Sequence, residues 1–206
     1  MKSEICVIRH GITEGNKRKL YYGGVDIPLL DEGKEQLAKL RDEKIYPNYE
    51  HAEYYTSGMI RTEQTLNVIY GCVEHQEIPR LREINFGALE MKSFEEMKDN
   101  DAYWEFVNDK TGLVAPEGGE SSSAFRYRIR EGFQQLRVNH YQQVLRLRNR
   151  GQMAASVAVI HGGVIAGILD DLFPDEYEWF YQWTPDPGHG YILTLDDGAV
   201  VEYEKF

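Results

Sequence analysis

Two segments of this chain share one design. Ile5-Cys6-Val7-Ile8-Arg9-His10-Gly11 and Val157-Ala158-Val159-Ile160-His161-Gly162-Gly163 each carry an apolar, strand-like run into a histidine and then a glycine. In an open α/β sheet the carboxyl ends of strands form the crevice where ligands sit, and glycine there lets a backbone N–H approach an anion closely. One histidine at a strand end reads equally well as a structural residue. Two of them, with Arg9 beside the first, read as imidazoles facing one cavity.

A neutral imidazole is a good nucleophile toward phosphorus. Phosphoryl transfer split into two steps through a phosphohistidine needs no metal where fixed positive charge surrounds the group in flight. Arginine supplies that charge, because its planar fork donates two parallel N–H bonds to phosphate oxygens. The three equatorial oxygens of the group call for a second arginine besides Arg9. Arg61 is the candidate, since Thr56-Ser57-Gly58 ends a strand-like segment at 52–55 and opens the next helix. Taken alone, Arg61 reads equally well as a surface residue of that helix.

The elements that must position these groups are legible in outline. The runs at 5–8 and 157–160 are apolar at every position, the pattern of strands buried on both faces in a parallel sheet covered by helices. Asp31 precedes a helical run with Leu37 and Leu40 on one face, and 62–73 carries Thr65, Val68, Ile69 and Cys72 at helical spacing. A longer helix follows Glu120, with Phe125, Ile129, Phe133 and Leu136 along one stripe and Arg126, Arg130 and Arg137 elsewhere, as a solvated face, with a contact surface as the alternative. The segment 116–121 reads as a loop and helix cap, with a contact from Glu120 or Ser121 to substrate as the alternative. Tyr191 to Leu195, the turn residues Asp196-Asp197-Gly198, and Val200 to Tyr203 read as a hairpin closing one end of the sheet.

Composition narrows the function classes. A chain of 206 residues with 42% hydrophobic and 28% charged residues is a globular protein, read here as a single domain over 1–206. Against 34 acidic residues stand 23 basic ones, a net charge of −11 that repels a polyanion, so nucleic acid is not an expected partner. Cys6 and Cys72 are too few for a disulfide framework or a cysteine zinc site, and both are expected to be reduced. His51, His75, His140 and His189 have no metal-site spacing, so neither metal nor cofactor is assigned. No stretch approaches a membrane span and no leader is evident, which makes the cytoplasm the expected location, with no membrane partner.

Arg9-His10-Gly11-Ile12-Thr13-Glu14-Gly15-Asn16, then Gly24 to Leu29, then Ser57 to Thr65 with Arg61, Thr62, Gln64 and Thr65, then Leu81-Arg82-Glu83-Ile84-Asn85-Phe86-Gly87, then His161-Gly162-Gly163 resembles the histidine phosphatase superfamily, in its phosphoglycerate-mutase-like branch. The blocks occur in family order and span nearly the whole chain. The resemblance implies a three-layer α/β/α fold around a mixed, mostly parallel sheet, with the site at the strand carboxyl ends. It implies that His10 is the phosphorylated nucleophile and that Arg9, Arg61 and His161 form the phosphate pocket. Asn16 would be a further side-chain donor there and Gly162 a backbone donor. Glu83 matches the acid that protonates the departing alkoxide and then takes a proton from the attacking water; by itself it would be one surface carboxylate among many. Asp26 reads as a turn residue.

Where family phosphatases carry an aromatic residue followed by Glu-Gly, this chain has Leu89-Glu90-Met91, and the local turn is expected to differ. The stretch after Glu83 and the chain's end at Phe206 lack the insertion and tail of true mutases. Phosphomonoester hydrolysis of a small phosphorylated metabolite is therefore the expected activity, with a mutase-type isomerase or a non-catalytic phospho-ligand binder as alternatives. Tyr103, Trp104 and Phe106, with Trp179, Phe180, Tyr181 and Trp183, form two aromatic clusters that read as core or lid packing; a lid would favour an apolar or ring-bearing leaving group. A monomer and a homodimer fit the sequence equally.

Overall fold

The computed structural model describes residues 2–206. In chain order the elements are β1 (Lys2–Arg9), α1 (Glu14–Lys17), β2 (Leu20–Tyr21), α2 (Asp31–Asp42), β3 (Ala52–Thr56), α3 (Ile60–Tyr70), β4 (His75–Glu77), β5 (Lys92–Ser93), α4 (Phe94–Met97), α5 (Asp101–Val107), α6 (Ser122–Arg148), β6 (Ala155–Ile160), α7 (Gly162–Leu172), β7 (Gly190–Asp196) and β8 (Ala199–Lys205). Six strands form one sheet in the order β4-β3-β6-β1-β7-β8. The first four run parallel, and β7 and β8 add an antiparallel edge. A separate two-stranded piece pairs β2 with β5.

The uniform apolarity of β1 and β6 follows from two cores lying on opposite faces. Successive side chains of a strand alternate between faces. Ile5 and Val7 of β1 and Ala158 and Ile160 of β6 join Ile129, Leu136, Ile165 and Leu169 of α6 and α7. Cys6 and Ile8, with Val157 and Val159, join Leu37, Leu66 and Ile69 of α2 and α3. The result is the α/β/α layering that the sequence implies, and residues 157–160 are completely buried.

Several local expectations are refined. Asp31 is the first residue of α2 rather than the residue before it. α3 starts at Ile60 and stops at Tyr70, because Gly71 takes φ +78° and ψ −161°, a glycine-only conformation outside the helical region; Cys72 lies beyond it, exposed. Both cysteines are free. The arginines of α6 are not simply solvated. Arg126 pairs with Asp170 and Asp171 of α7 at 2.8 and 2.5 Å, Arg130 forks onto Asp171, and Arg137 donates to the Gly198 carbonyl at 2.8 Å. In the C-terminal hairpin Asp197 and Gly198 take φ +47° and +82°, the twist a two-residue turn between antiparallel strands requires. No described helix is long and apolar enough to cross a membrane.

Candidate active site

β1 and β6 are parallel neighbours with Arg9 opposite Ile160, so the chain leaving each strand delivers a histidine to the same place. The His10 N–H donates to the Ile160 carbonyl at 3.0 Å, and the rings of His10 and His161 stand edge to face with centroids 5.2 Å apart. The cleft above them has a volume of 1070 Å³. Arg9, His10, Asn16, Arg61, Glu83 and Gly162 all line it.

His10 is 3% exposed, and its Nδ1 lies 2.7 Å from the Gly11 carbonyl. A carbonyl can only accept, so Nδ1 carries the proton and Nε2 on the opposite side of the ring keeps its lone pair. Burial, followed by the nearby Arg61 and Arg9 guanidiniums, holds the imidazole well below the usual histidine range, partly offset by the bond to Gly11. The ring is therefore a neutral base of fixed tautomer at the floor of a cationic pocket.

Arg61 opens into that pocket from the first turn of α3 and is fully buried. Its Nη2 donates to the Gly23 carbonyl at 2.9 Å, its Nη1 to the Val25 carbonyl at 3.0 Å, and its Nε to His161 Nδ1 at 3.2 Å. Of the five guanidinium N–H groups, two remain for a ligand. Tyr22 stacks beneath, its ring centroid 5.3 Å from the guanidinium carbon. Arg9 is held by one bond, from Nη1 to the Pro185 carbonyl at 2.7 Å, and its buried Nε has no protein acceptor. A buried donor without a partner is uncommon.

His161, which the resemblance assigns to the phosphate pocket, stands directly against the His10 ring. It is fully buried and does not line the cleft, and both ring nitrogens are engaged. Arg61 donates to Nδ1, so Nε2 carries the proton and donates to Ser57 Oγ at 2.8 Å. Ser57 Oγ lies 3.2 Å from Thr62 Oγ1, which donates to the Met59 carbonyl at 2.7 Å. This relay locks His161 as an acceptor for Arg61. Burial, then the positive charge of Arg61 and the proximity of His10, keeps its pKa well below the usual range.

Asn16 reaches the cleft from α1. Its Oδ1 accepts from the Thr13 N–H at 3.0 Å and the Tyr22 hydroxyl at 2.9 Å, which turns the Nδ2 amide into the remaining donor. Glu83 follows the turn at Leu81 and is held by two backbone donors, Ile84 N–H at 3.0 Å and Gly163 N–H at 2.8 Å. Burial raises its pKa above the usual carboxyl range against the pull of those N–H groups and of Arg61 and Arg9. Gly162 opens α7, where a Cβ would stand 3.0 Å from Arg9 Nε; it is Gly163 that supplies the amide for Glu83.

Asp26 has the structural role expected of it, accepting from the Ile60 N–H at 2.9 Å at the start of α3. Ser121 caps α6, and Glu120 is bound in a fork by Arg128 rather than facing substrate. Of the aromatics, Phe106, Phe180 and Tyr181 join Tyr21, Tyr22 and Phe86 on the cleft wall, Trp183 is buried in the core, and Trp104 and Trp179 are exposed.

Two residues whose contacts the sequence does not declare, Arg128 and Glu90, act on backbone groups. Arg128 donates to the carbonyls of Arg80, Arg82 and Glu83, fastening the segment that carries the acid. Glu90 accepts from four backbone N–H groups around the cleft. Met91, at the departure from the family pattern, adopts φ +59° and donates its N–H to the Tyr21 carbonyl at 2.7 Å. Among the described residues, no group of three or more His, Cys, Asp or Glu side chains is placed to hold a metal ion.

The chain resembles known proteins. The chain is 29% identical over 169 residues to the adenosylcobalamin/alpha-ribazole phosphatase of Escherichia coli K12, spanning 77% of this chain and 79% of that one. It is 27% identical over 177 residues to phosphoglycerate mutase-like protein 4 of Arabidopsis thaliana, spanning 84% and 72%. The crystal structure of the alpha-ribazole phosphatase from Shigella flexneri superposes with a TM-score of 0.75 at 23% identity, over 97% of this chain and 94% of that one, a likeness of fold. Residues 5–203 match the family model of the histidine phosphatase superfamily, branch 1, and the chain belongs to that family.

Proposed function

We propose that the chain is a phosphomonoester hydrolase that transfers the phosphoryl group of a small metabolite to His10 and then to water. The observation that carries this reading is the state of His10. It is a buried, neutral imidazole whose Nδ1–H is committed to Gly11, leaving the Nε2 lone pair in a cleft with the guanidiniums of Arg9 and Arg61. Family membership and the relative named a phosphatase support it.

In the first half-reaction His10 Nε2 attacks phosphorus, the bond from phosphorus to the ester oxygen breaks, and Glu83 gives its proton to that oxygen. Arg9, the two remaining N–H groups of Arg61 and the Asn16 amide spread positive charge over the equatorial oxygens, the work a magnesium ion performs in other phosphoryl-transfer sites. In the second, water attacks the phosphohistidine, Glu83 as carboxylate takes the water proton, and the N–P bond breaks to release orthophosphate. Glu83 suits both steps because burial favours the protonated form while two backbone N–H groups accommodate the charged one. The aromatic cleft wall suits an apolar or ring-bearing leaving group.

Rapid-quench labelling with a radioactive ester tests the reading. An acid-labile, base-stable adduct is expected in the wild type and absent from His10→Ala, with orthophosphate as product and activity retained in excess chelator. Equal labelling of His10→Ala refutes His10 as the nucleophile, and an isomerised ester in place of orthophosphate identifies a mutase.

A further inference from the structure

We propose that Glu90 is a positioning residue for the phosphate site, acting through Arg61. It does not line the cleft and so touches no substrate. Its carboxylate sits behind the segment 23–25, accepting from Gly23 N–H at 3.0 and 3.2 Å, Gly24 N–H at 2.8 Å and Val25 N–H at 3.3 Å. Successive backbone N–H groups converging in this way form a concavity that binds anions, and here the anion is a side chain of the protein itself. The same peptide segment turns its carbonyls the other way: those of Gly23 and Val25 receive the two Nη atoms of Arg61. Glu90 thus fixes three amides, and the two carbonyls of that segment aim the guanidinium.

A fourth donor joins the acid to this assembly. Phe86 N–H donates to Glu90 Oε1 at 2.8 Å, three residues beyond Glu83. The segment bearing the phosphate-binding arginine's acceptors and the segment bearing the proton donor are therefore tied to one carboxylate. Space confirms how closely they are pressed together: a Cβ on Gly23 would meet the Ile84 carbonyl oxygen at 1.8 Å. A glutamine at position 90 would offer one oxygen, and its NH₂ would face an N–H donor, releasing one side of the loop.

The proposal rests on reading the cleft as a phosphate-ester site, and inorganic phosphate is a probe that separates the two. Binding of phosphate to the wild type, to Glu90→Gln, to Arg61→Ala and to the double variant is measured by calorimetry, with melting curves to confirm folding. Displacing a group by about 1 Å can cost about 10²-fold, so Glu90→Gln is expected to weaken phosphate by about 10- to 100-fold. If Glu90 acts through Arg61, adding the substitution to Arg61→Ala weakens phosphate by no more than about twofold further, the margin of independent sites. Loss in the double variant equal to the product of the single losses overturns the proposal, as does wild-type affinity in a folded Glu90→Gln. A wild type that binds no phosphate overturns the underlying reading as well. Gly24→Ala perturbs the same contact from the exposed side with Glu90 intact, its Cβ meeting Asn85 Oδ1 at 2.7 Å and Glu90 Oε1 at 3.2 Å. It serves if Glu90→Gln does not fold; weakened phosphate that is again non-additive with Arg61→Ala is expected, and unchanged affinity refutes the coupling.

Discussion

Replacing Glu83 by glutamine separates its role as proton donor from any part in holding the site together. The carboxyl is held by Ile84 N–H on one oxygen and Gly163 N–H on the other. Glutamine keeps one of these bonds, so the segment stays in place while the transferable proton is lost. General acid catalysis contributes about 10²–10⁴-fold, and an alkoxide depends on it while a nitrophenolate does not. Phosphoenzyme formation from an alkyl phosphate is therefore expected to fall by about 10²–10⁴-fold in Glu83→Gln, and from p-nitrophenyl phosphate by less than about tenfold. The assay is single-turnover rapid quench, because the later hydrolysis of the phosphoenzyme uses the same residue as base for every substrate. The pH dependence provides a second reading of the same step. His10 is held well below its usual range, so it is already the free base across neutral pH and the acid limb lies far below 6.5. Glu83 is raised from 4.5, so the alkyl rate falls with rising pH as its proton is lost, a limb that should be missing from Glu83→Gln. Equal losses for both substrates would show that Glu83 serves the fold or phosphate binding, and the acid would then have to be another group.

Arg61→Lys should lower kcat/KM by about 10²–10³-fold in steady-state assays while the protein still folds, since an ammonium cannot hold the Gly23 and Val25 carbonyls and present two further N–H groups in one plane. Met91→Gly should raise the melting temperature, because a left-handed conformation costs a side-chain-bearing residue about 1–2 kcal/mol, reduced by the greater freedom of glycine in the unfolded chain; an unchanged or lower melting temperature contradicts this. His140 is buried between Ser156 and Ser3 hydroxyls and its pKa is pushed down to about 4. The unfolded chain then binds the proton first as pH falls below 6.5, so His140 should account for about 2 kcal/mol of the stability lost between pH 7 and 5. Denaturant titrations of wild type and His140→Gln at both pH values measure that share, and equal pH sensitivity refutes it.

Much of the fold was legible because burial on two faces leaves a mark that nothing else imitates. The runs 5–8 and 157–160 are apolar at every position since each is sandwiched between cores made by α2 and α3 on one side and α6 and α7 on the other. Helix ends were harder. Cys72 fits the apolar spacing of α3, yet Gly71 turns the chain out of the helix one residue earlier, and a glycine in a periodic stretch does not declare whether it continues or stops. Arg126 and Arg130 of α6 looked solvated because their partners, Asp170 and Asp171, lie on another helix more than forty positions along the chain.

The site divides along the same physical line. His10, Arg9 and Arg61 could be picked out as candidates because phosphoryl transfer calls for a nucleophile and forks of donors, whereas Glu83 came only with the family resemblance; the structure brings all four to one cleft. Arg128 was not legible, and neither were the contacts made by Glu90 and Ser57, because the partners are peptide N–H and C=O groups or another residue's ring nitrogen, and every position in the chain offers the former. Such residues have no composition of their own to recognise; they become visible only when three-dimensional placement leaves a buried backbone group that one side chain satisfies. His161 shows the consequence most plainly. The sequence places it beside phosphate with the strand-end symmetry of His10, while the hydrogen bonds from Arg61 and to Ser57 occupy both its nitrogens. Matching positions on neighbouring strands therefore differ in hydrogen bonding: His10 has Nδ1 satisfied by its own neighbour's carbonyl, whereas His161 accepts from Arg61 at Nδ1 and donates to Ser57 from Nε2.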